Sequence, residues 1–552
     1  MHDLVIRNAL LVDGLGSPPR RGDLAVKDGK ILEVGKTSLS AKETVDADGL
    51  ALMPGIIDNH THYDAQITWD PWASPSPALG VTTAVIGNCG FTIAPCRPED
   101  RELVMKNLTQ VEGMSLAALR AGIRWEFESL PQYLDMLERR GAALNIACFV
   151  GHSSVRTYVM GADASRRAGT ADEISSMKKL VLEGLRAGAI GLSSTTSPAH
   201  NGEGGLPMPS RLADEAELRA LVGCLREAGR GVFMLTKGGE TRMPFLEALA
   251  ADSARPVVVA ALLHSSTNPK AVFEDLQQIK EANDRGHRLL GAVSCCPLSM
   301  EFTMHSPYVL EGLESWKPAL GKKGSEFRGI LSDKGFRDAI RAELSRPAHF
   351  RLFNGEWNKV QVVESQRTIA EIAGKADPLD CMLDLALKEN LDTVFNALLL
   401  NSDEKAVGKM LRHPCSLVSL SDAGAHLTFF NDAGFGLHLL GHWVRKLGVL
   451  TLAEAVWRLT GHPAAIFGIE NRGALKPGHH ADLLLFDPAR IERGPVKRTF
   501  DLPAGEPRLT AQAVGVHGVW VNGARIVGRN GEPQFGRRGE KLPGQLLRRF
   551  AA

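Results

Sequence analysis

Two histidines separated by one residue, His60 and His62, end the apolar run that begins at Pro54. If this run is a strand, both imidazoles point to the same side, because side chains alternate along a strand. Two neutral imidazoles at the carboxyl end of a buried strand are half of a divalent-metal site. The competing interpretation is a polar strand end with two hydrogen-bonded histidines. The donors supplied by the rest of the chain must decide between them.

Further metal-binding side chains follow other strand-like runs. In chain order they are Cys89, Lys237, His264 and Asp422. In a closed barrel of parallel strands, residues at the carboxyl ends converge on one mouth, whichever strand carries them. Histidine, thiolate and carboxylate are zinc ligands, and a catalytic zinc site leaves one position open for water. Cys89 could instead be an ordinary buried thiol, but the whole set favours a metal site.

The elements that must position these residues alternate between strand-like and helix-like segments. Helical patterns cover residues 171–187 and 215–229. Eight apolar runs are strand candidates, because parallel strands that are buried on both faces have continuous apolar sequences. They are 53–58, 81–86, 144–150, 189–193, 231–235, 257–263, 289–294 and 416–420. Eight is the strand number of a (β/α)8 barrel, so we predict an α/β protein with a TIM-like barrel.

The two ends of the chain share a different sequence pattern, in which short strand-like runs alternate with turns. Residues 1–52 contain the hairpin signal Asp28-Gly29, and similar runs return at 481–486 and 516–527. Because each half is too small to bury a core alone, we predict that residues 1–52 and 471–552 pair into one small β-sandwich. The barrel then spans 53–470, with an insertion around 297–348 that covers or shapes the pocket. The last residues, with Arg537-Arg538 and Arg548-Arg549, are predicted to form a solvated tail.

Composition narrows the class of partner. The 64 Lys and Arg nearly cancel the 63 Asp and Glu, which gives no indication of nucleic acid or of a membrane surface as a partner. No run reaches membrane-spanning length, the start is not an export signal, and the eight cysteines are irregularly spaced. We therefore expect a cytoplasmic protein with a small-molecule substrate, and homo-oligomerisation stays open.

Four motifs together carry a family resemblance. They are Gly55-Ile56-Ile57-Asp58-Asn59-His60-Thr61-His62, Gly87-Asn88-Cys89-Gly90, Leu263-His264 and Ser421-Asp422-Ala423-Gly424. The chain resembles the amidohydrolase superfamily, and within it the D-aminoacylase (N-acyl-D-amino-acid deacylase) branch. The resemblance extends to the segment from Asn471 to Leu483, which is similar to that family's return to the β-sandwich.

The resemblance implies a set of roles for these residues. His60, His62, Cys89 and His264 become zinc ligands, and Asp422 becomes a ligand that also acts as general base. Zinc lowers the pKa of a water molecule, and a nearby carboxylate can take the proton and later return it to the leaving amine.

Lys237 departs from the family pattern, which has a histidine at this position. A protonated ammonium cannot bind zinc and opposes a second cation. Three alternatives follow. Lys237 is carboxylated and becomes an anionic ligand, or it remains an amine that contacts the substrate's carboxylate or oxyanion beside one tightly bound zinc, or the site has lost its chemistry. The number of zinc ions, one or two, depends on which holds.

Four further residues are candidates for substrate binding, namely His152, His200, Arg211 and His426. The histidines lie on loops at the expected catalytic mouth, and a guanidinium can bind a carboxylate through two parallel hydrogen bonds. Loop hydrogen bonding, an exposed arginine and helix capping are the competing interpretations. A role beside Asp422 is also open to His426.

The sequence therefore predicts a zinc-dependent amidohydrolase that removes the acyl group from an N-acyl amino acid or related amine. A cyclic amidase for a hydantoin-like or lactam ring is the competing enzyme, and a carboxylated Lys237 would favour it. A non-catalytic relative that keeps the barrel as a binding or scaffold protein is the alternative from another class.

Overall fold

The computed structural model describes residues 2–348, 351–534 and 541–552, and in it both chain ends contribute to one eight-stranded sheet. Antiparallel pairing places Leu52 opposite Leu485, so the two chain ends are joined as predicted. With strands numbered in chain order, this terminal sheet contains β1 (His2–Leu11), β2 (Arg20–Lys27), β3 (Lys30–Gly35), β4 (Ala41–Asp46), β5 (Ala51–Pro54), β18 (Leu483–Phe486), β21 (Val516–Val521) and β22 (Ala524–Val527). Alternate residues of β18 face opposite cores: Leu483 and Leu485 pack within the terminal sheet, whereas Leu484 and Phe486 pack against the barrel.

The barrel consists of eight parallel strands, and one of them overlaps each of the eight predicted runs. They are β6 (Ile56–Asp58), β7 (Val81–Ile86), β8 (Asn145–Gly151), β9 (Gly191–Thr195), β10 (Val232–Thr236), β11 (Val257–Leu262), β12 (Leu289–Val293) and β17 (Ser416–Val418). First and last strands meet where the Asn59 side chain donates to Val418 O at 2.9 Å and the His62 amide donates to Ala423 O at 2.7 Å. The barrel is therefore closed next to the histidine pair.

Gly55 lies where the chain passes from the terminal sheet into the barrel, between β5 and β6. A Cβ at this position would lie 2.1 Å from Thr82 Cγ2, so no other residue fits without movement of β7. The predicted strand 53–58 is thus two strands in two sheets. This glycine sets the direction of the short strand that leads to His60.

Helices cover the outside of the barrel, and the predicted helix 171–187 is found with the same bounds. Its first turn is closed by a capping box between Thr170 and Glu173. The α-helices are α1 (Arg101–Glu112), α2 (Leu116–Gly122), α3 (Leu130–Arg140), α4 (His152–Met160), α5 (Ala171–Ala187), α6 (Glu215–Ala228), α7 (Met243–Ser253), α8 (Ala271–Asp284), α9 (Gly324–Ser332), α10 (Lys334–Leu344), α11 (Ile369–Ala373), α12 (Pro378–Lys388), α13 (Glu404–Arg412), α14 (Phe435–His438), α15 (Leu452–Leu459) and α16 (Gly461–Phe467).

An inserted unit with its own core lies between β12 and β17. Its antiparallel sheet contains β13 (Leu298–Phe302), β14 (Val360–Val362), β15 (Arg367–Thr368) and β16 (Phe395–Leu400). Because β16 pairs with both β13 and β14, the unit continues to Leu400, past the predicted end at residue 348. Tyr308 of this unit packs on His426 with ring centroids 5.3 Å apart, so the insertion contacts the loop after β17.

The last described residues pack against the barrel, and the predicted solvated tail is wrong for residues 541–552. The Leu547 amide donates to Ile146 O at 2.7 Å, and Phe550 is buried. Apolar residues between the arginines bury area that a purely basic tail would lack. Arg537 and Arg538 lie outside the described residues. The remaining two strands, β19 (Glu492–Thr499) and β20 (Arg508–Val514), form a hairpin.

None of the helices that the structure describes is long and apolar enough to cross a membrane.

Candidate metal centre

Three donors from two adjacent strand ends form a buried group at the mouth of the barrel. The ligand atoms of His60, His62 and Cys89 all lie within 4.8 Å of one another. The histidines follow β6, and Cys89 lies in the turn after β7, where its Sγ is 3.5 Å from His60 Nε2. Two imidazoles and a thiol are the donor types that zinc binds, so the residues present fit a divalent metal.

Asp422, in the loop after β17, completes this arrangement. Its Oδ1 lies 3.2 Å from His60 Nε2 and 3.8 Å from His62 Nε2. Burial alone would raise the pKa of Asp422, but hydrogen bonding to His62 and the charges of the two histidines outweigh burial and hold that pKa below its usual range. Its side chain is 22% exposed, against 4% and 3% for those of His60 and His62. Asp422 is therefore the member of the group that is open to an incoming molecule.

The backbone around the centre is unusual in conformation. Cys89, Leu420, Asp422 and His426 have positive φ angles of 56°, 67°, 47° and 52°. Residues with side chains avoid this left-handed region, and such strain is found where the surrounding structure holds a functional group in place. Two of the four, Cys89 and Asp422, carry candidate ligand atoms.

Lys237 and His264 are not brought into this group. Lys237 Nζ lies 3.1 Å from Asp275 Oδ2, and both side chains are 10% exposed. His264 is not part of the group of ligand atoms formed by His60, His62 and Cys89 in the described residues, and burial lowers its pKa. The structure therefore places four of the six predicted ligands together and the other two apart.

Glu112, at the end of α1, is a site residue that the sequence did not indicate. Its Oε1 lies 3.3 Å from His62 Nδ1, and its Oε2 lies 3.6 Å from His426 Nε2. Burial raises the pKa of Glu112 to about 8, and His62 offsets this only in part. A carboxylate behind a ligating histidine fixes the orientation of the ring. His426 thus contacts Glu112 and Tyr308, with no hydrogen bond to Asp422 among the described contacts.

His152 has partners for both ring nitrogens inside the barrel wall, and its role in substrate binding stays a prediction. Its ring is fully buried, with Nδ1 2.8 Å from Ser194 Oγ and Nε2 2.8 Å from Glu217 Oε1. Glu217 also accepts a hydrogen bond from Arg156. The histidine therefore belongs to a buried charge network in the barrel wall.

His200 and Arg211 lie together on the loop after β9. His200 Nδ1 is 2.8 Å from Thr195 Oγ1, and its ring meets Phe91 edge-on with centroids 5.1 Å apart. Burial, with smaller contributions from His426 and His62, lowers the pKa of His200 to about 3, which keeps the imidazole neutral. Arg211 donates to His200 O at 3.1 Å and lines a cavity of about 610 Å³. Arg211 is thus placed for contact with a molecule in this cavity, and His200 is held beside it by Thr195 and Phe91.

Comparison with known proteins identifies the family. The model of the amidohydrolase family matches residues 43–527. The chain belongs to the amidohydrolase family. It is 30% identical to a D-aminoacylase from Alcaligenes xylosoxydans xylosoxydans over 95% of this chain and 94% of that protein. This amidohydrolase is therefore of the D-aminoacylase branch and hydrolyses carbon–nitrogen bonds other than peptide bonds.

Solved structures agree with this assignment. A crystal structure of D-aminoacylase has a TM-score of 0.70 and 25% identity, with 100% of both chains covered. An N-acyl-D-glutamate deacylase from Bordetella bronchiseptica, solved with zinc and a phosphonate inhibitor, has a TM-score of 0.68 and 24% identity, with 99% of this chain and 100% of that chain covered. The second likeness supports the fold of this amidohydrolase.

Proposed function

We propose that this amidohydrolase removes the acyl group from an N-acyl D-amino acid or related N-acyl amine, with one zinc ion as cofactor. The observation that carries the proposal is the convergence of His60, His62, Cys89 and Asp422 from three strand ends, with Asp422 the most exposed of the four. The similarity to D-aminoacylase over nearly the whole chain supports the substrate class.

Each residue of the centre has a distinct task in the proposed reaction. His60, His62, Cys89 and Asp422 would hold the ion, which when bound acidifies a water molecule and polarises the substrate carbonyl. Asp422 takes the proton from the attacking water, because its low pKa makes it a carboxylate and its side chain is partly exposed. The protonated Asp422 then passes that proton to the leaving amine. Glu112, whose Oε1 lies 3.3 Å from His62 Nδ1, would orient the ring of His62 as a ligand.

The ion pair between Lys237 and Asp275 supports one ion rather than two. A carboxylated Lys237 would place a second negative charge where the ammonium now lies 3.1 Å from a carboxylate oxygen, and the two anions would repel each other. The pair therefore favours an unmodified amine. It also counts against the cyclic amidase, since that alternative relied on a carboxylated lysine.

Substrate recognition is assigned to the loop that carries His200 and Arg211. The neutral imidazole of His200 can donate a hydrogen bond to the substrate carbonyl or accept one from its amide. The Arg211 guanidinium makes no ion pair among the described residues and borders the cavity of about 610 Å³, so it can bind the carboxylate of an acylated amino acid.

The test uses purified full-length protein, its metal content and amine release. The protein is stripped with a chelator, reconstituted with zinc and assayed with matched D and L N-acyl amino acids of different acyl length. We expect about one zinc per chain, turnover of the D series and no turnover by the metal-free protein. Bound zinc without release of amine from any of these substrates would favour the non-catalytic binding protein, and hydrolysis of a hydantoin instead would favour the cyclic amidase.

A further inference from the structure

Cys89 has a left-handed backbone conformation that residues with side chains avoid, and it lies near two glycines that adopt such a conformation freely. Gly87, Cys89 and Gly90 have positive φ angles of 82°, 56° and 84° within four residues. The turn also presses on β9, because a Cβ on Gly90 would lie 3.2 Å from both Ser193 O and Ser194 Cα. A strained segment of this kind keeps its shape only if neighbouring groups hold it.

Ser193 of β9 supplies this support with a single hydroxyl group. Its Oγ accepts a hydrogen bond from the Gly90 amide at 3.0 Å and donates one to Gly87 O. The two contacts lie on either side of Cys89, so the hydroxyl closes the turn that aims the thiol. The Asn88 side chain ties the same turn to the β6 and β7 side of the barrel, with 3.2 Å to Thr61 O and 2.9 Å to Val85 O.

Thr236, the last residue of β10, contacts the sulfur itself. Its Oγ1 lies 3.1 Å from Cys89 Sγ, and both residues are buried. A thiolate has no proton to donate, so Thr236 must be the donor once Cys89 is ionised. Hydrogen bonds to a ligating sulfur withdraw electron density from it and tune the metal.

We propose that Ser193 and Thr236 are positioning residues for a cysteine ligand: Ser193 fixes the turn that aims Cys89, and Thr236 donates a hydrogen bond to its thiolate. The inference rests on the proposed function, because it requires Cys89 to bind the metal. It adds two residues from neighbouring strands to the centre, neither of which touches the substrate.

The experiment uses cobalt as a spectroscopic replacement for zinc, since thiolate ligation to Co²⁺ produces a charge-transfer band in the near ultraviolet. Metal-free wild type, Ser193→Ala, Thr236→Val, Thr236→Ser and Ser194→Ala are titrated with Co²⁺. Ser194→Ala is the matched control, because it removes a buried hydroxyl from the next position of β9, where Ser194 Oγ contacts His152. Circular dichroism of each variant verifies folding.

We expect Ser193→Ala to raise the Kd for Co²⁺ about 10- to 100-fold, the range typical of lost support behind a metal ligand. Thr236→Val should move the band to longer wavelength, because a sulfur without its hydrogen bond gives up electrons more readily. Thr236→Ser should restore the wild-type band, and Ser194→Ala should match wild type in both measurements.

The outcomes separate this inference from the proposed function. A wild-type band and Kd in both Ser193→Ala and Thr236→Val would overturn the positioning roles while leaving Cys89 as a ligand. Absence of the charge-transfer band in wild type with bound Co²⁺ would overturn both the inference and the assignment of Cys89. If Ser193→Ala does not fold, the position of the band in the two Thr236 variants decides the role of Thr236. Ser193→Thr, which keeps the hydroxyl, should then bind Co²⁺ with a lower Kd than Ser193→Cys, and equal Kd values would overturn the role of Ser193.

Discussion

Replacing Glu217 by glutamine removes the carboxylate that neutralises Arg156 inside the barrel wall. The side chains of Arg156 and His152 are 0% exposed and that of Glu217 is 1% exposed. Water therefore cannot solvate the Arg156 guanidinium once the Glu217 carboxylate is removed. The substitution keeps the shape of the side chain and removes only its charge. It therefore tests the conclusion that His152 belongs to a structural network.

The size of the effect follows from these contacts. Breaking a buried ion pair costs about 3–5 kcal/mol. The glutamine oxygen can still accept one hydrogen bond, which returns about 1 kcal/mol. We therefore expect a loss of about 2–4 kcal/mol. Since the entropy of unfolding grows with chain length, this corresponds to a fall in Tm of about 2–4 °C for a cooperative unit of this size.

Acid should abolish the difference between the two proteins. Burial opposes ionisation of Glu217, but hydrogen bonds and charge from His152 and Arg156 lower its pKa to about 2. A carboxylate with a depressed pKa stabilises the folded state above its unfolded pKa, and this contribution is lost as pH falls from about 4.5 towards 2. The gap in Tm between wild type and Glu217→Gln should therefore be full at pH 7 and shrink below pH 4.5.

The assay is thermal unfolding followed by circular dichroism at several pH values, together with kcat and KM well below Tm. Glu215→Gln is the matched control, because Glu215 is an exposed acid in the same first turn of α6 and experiences the same helix dipole. We expect Glu217→Gln to lower Tm with KM unchanged. Equal Tm values for the two variants, or a large rise in KM for Glu217→Gln alone, would refute the structural role of the network.

Three other predictions concern the centre and its pocket. Asp422→Asn should lower kcat about 10²- to 10⁴-fold at saturating zinc, the usual contribution of a general acid–base group, and kcat equal to wild type would contradict its role. Lys237→Ala should keep about one zinc per chain by elemental analysis, because the ammonium pairs with Asp275 outside the centre; loss of zinc would show that Lys237 is a ligand after all. Arg211→Met should raise KM about 10- to 100-fold for an N-acyl amino acid, the worth of a hydrogen bond to a charged group, but not for the corresponding amino-acid amide, and an equal rise for both would contradict carboxylate binding.

The barrel could be predicted from the sequence because its strands are buried on both faces. Such strands are continuous apolar runs, and the predicted run 81–86 has the bounds of β7. Residues placed directly after these runs, such as His60 and Asp422, could therefore be assigned to one mouth. The helix that begins after Thr170 was equally readable, since its capping box is local in sequence.

The direction of long or buried polar side chains could not be predicted in the same way. Lys237 follows β10 as a ligand would, but its partner Asp275 lies in α8. No residue close to Lys237 in sequence indicates this ion pair. His152 is likewise directed by Glu217 from a distant helix. Glu112 lies at the end of a helix, where no pattern marks it as a neighbour of His62. These contacts depend on tertiary packing, which a local pattern does not encode.

The pairing of β5 with β18 has a consequence for biosynthesis. Leu52 of β5 pairs with Leu485 of β18, so about 430 further residues must be translated before this partner strand exists. At typical ribosomal rates this takes about 20–90 s, during which β5 pairs with β1 on one side and lacks β18 on the other. The terminal sheet therefore cannot be completed until most of the chain has been translated. A nascent chain of this amidohydrolase should therefore depend on chaperones until its C-terminal strands emerge.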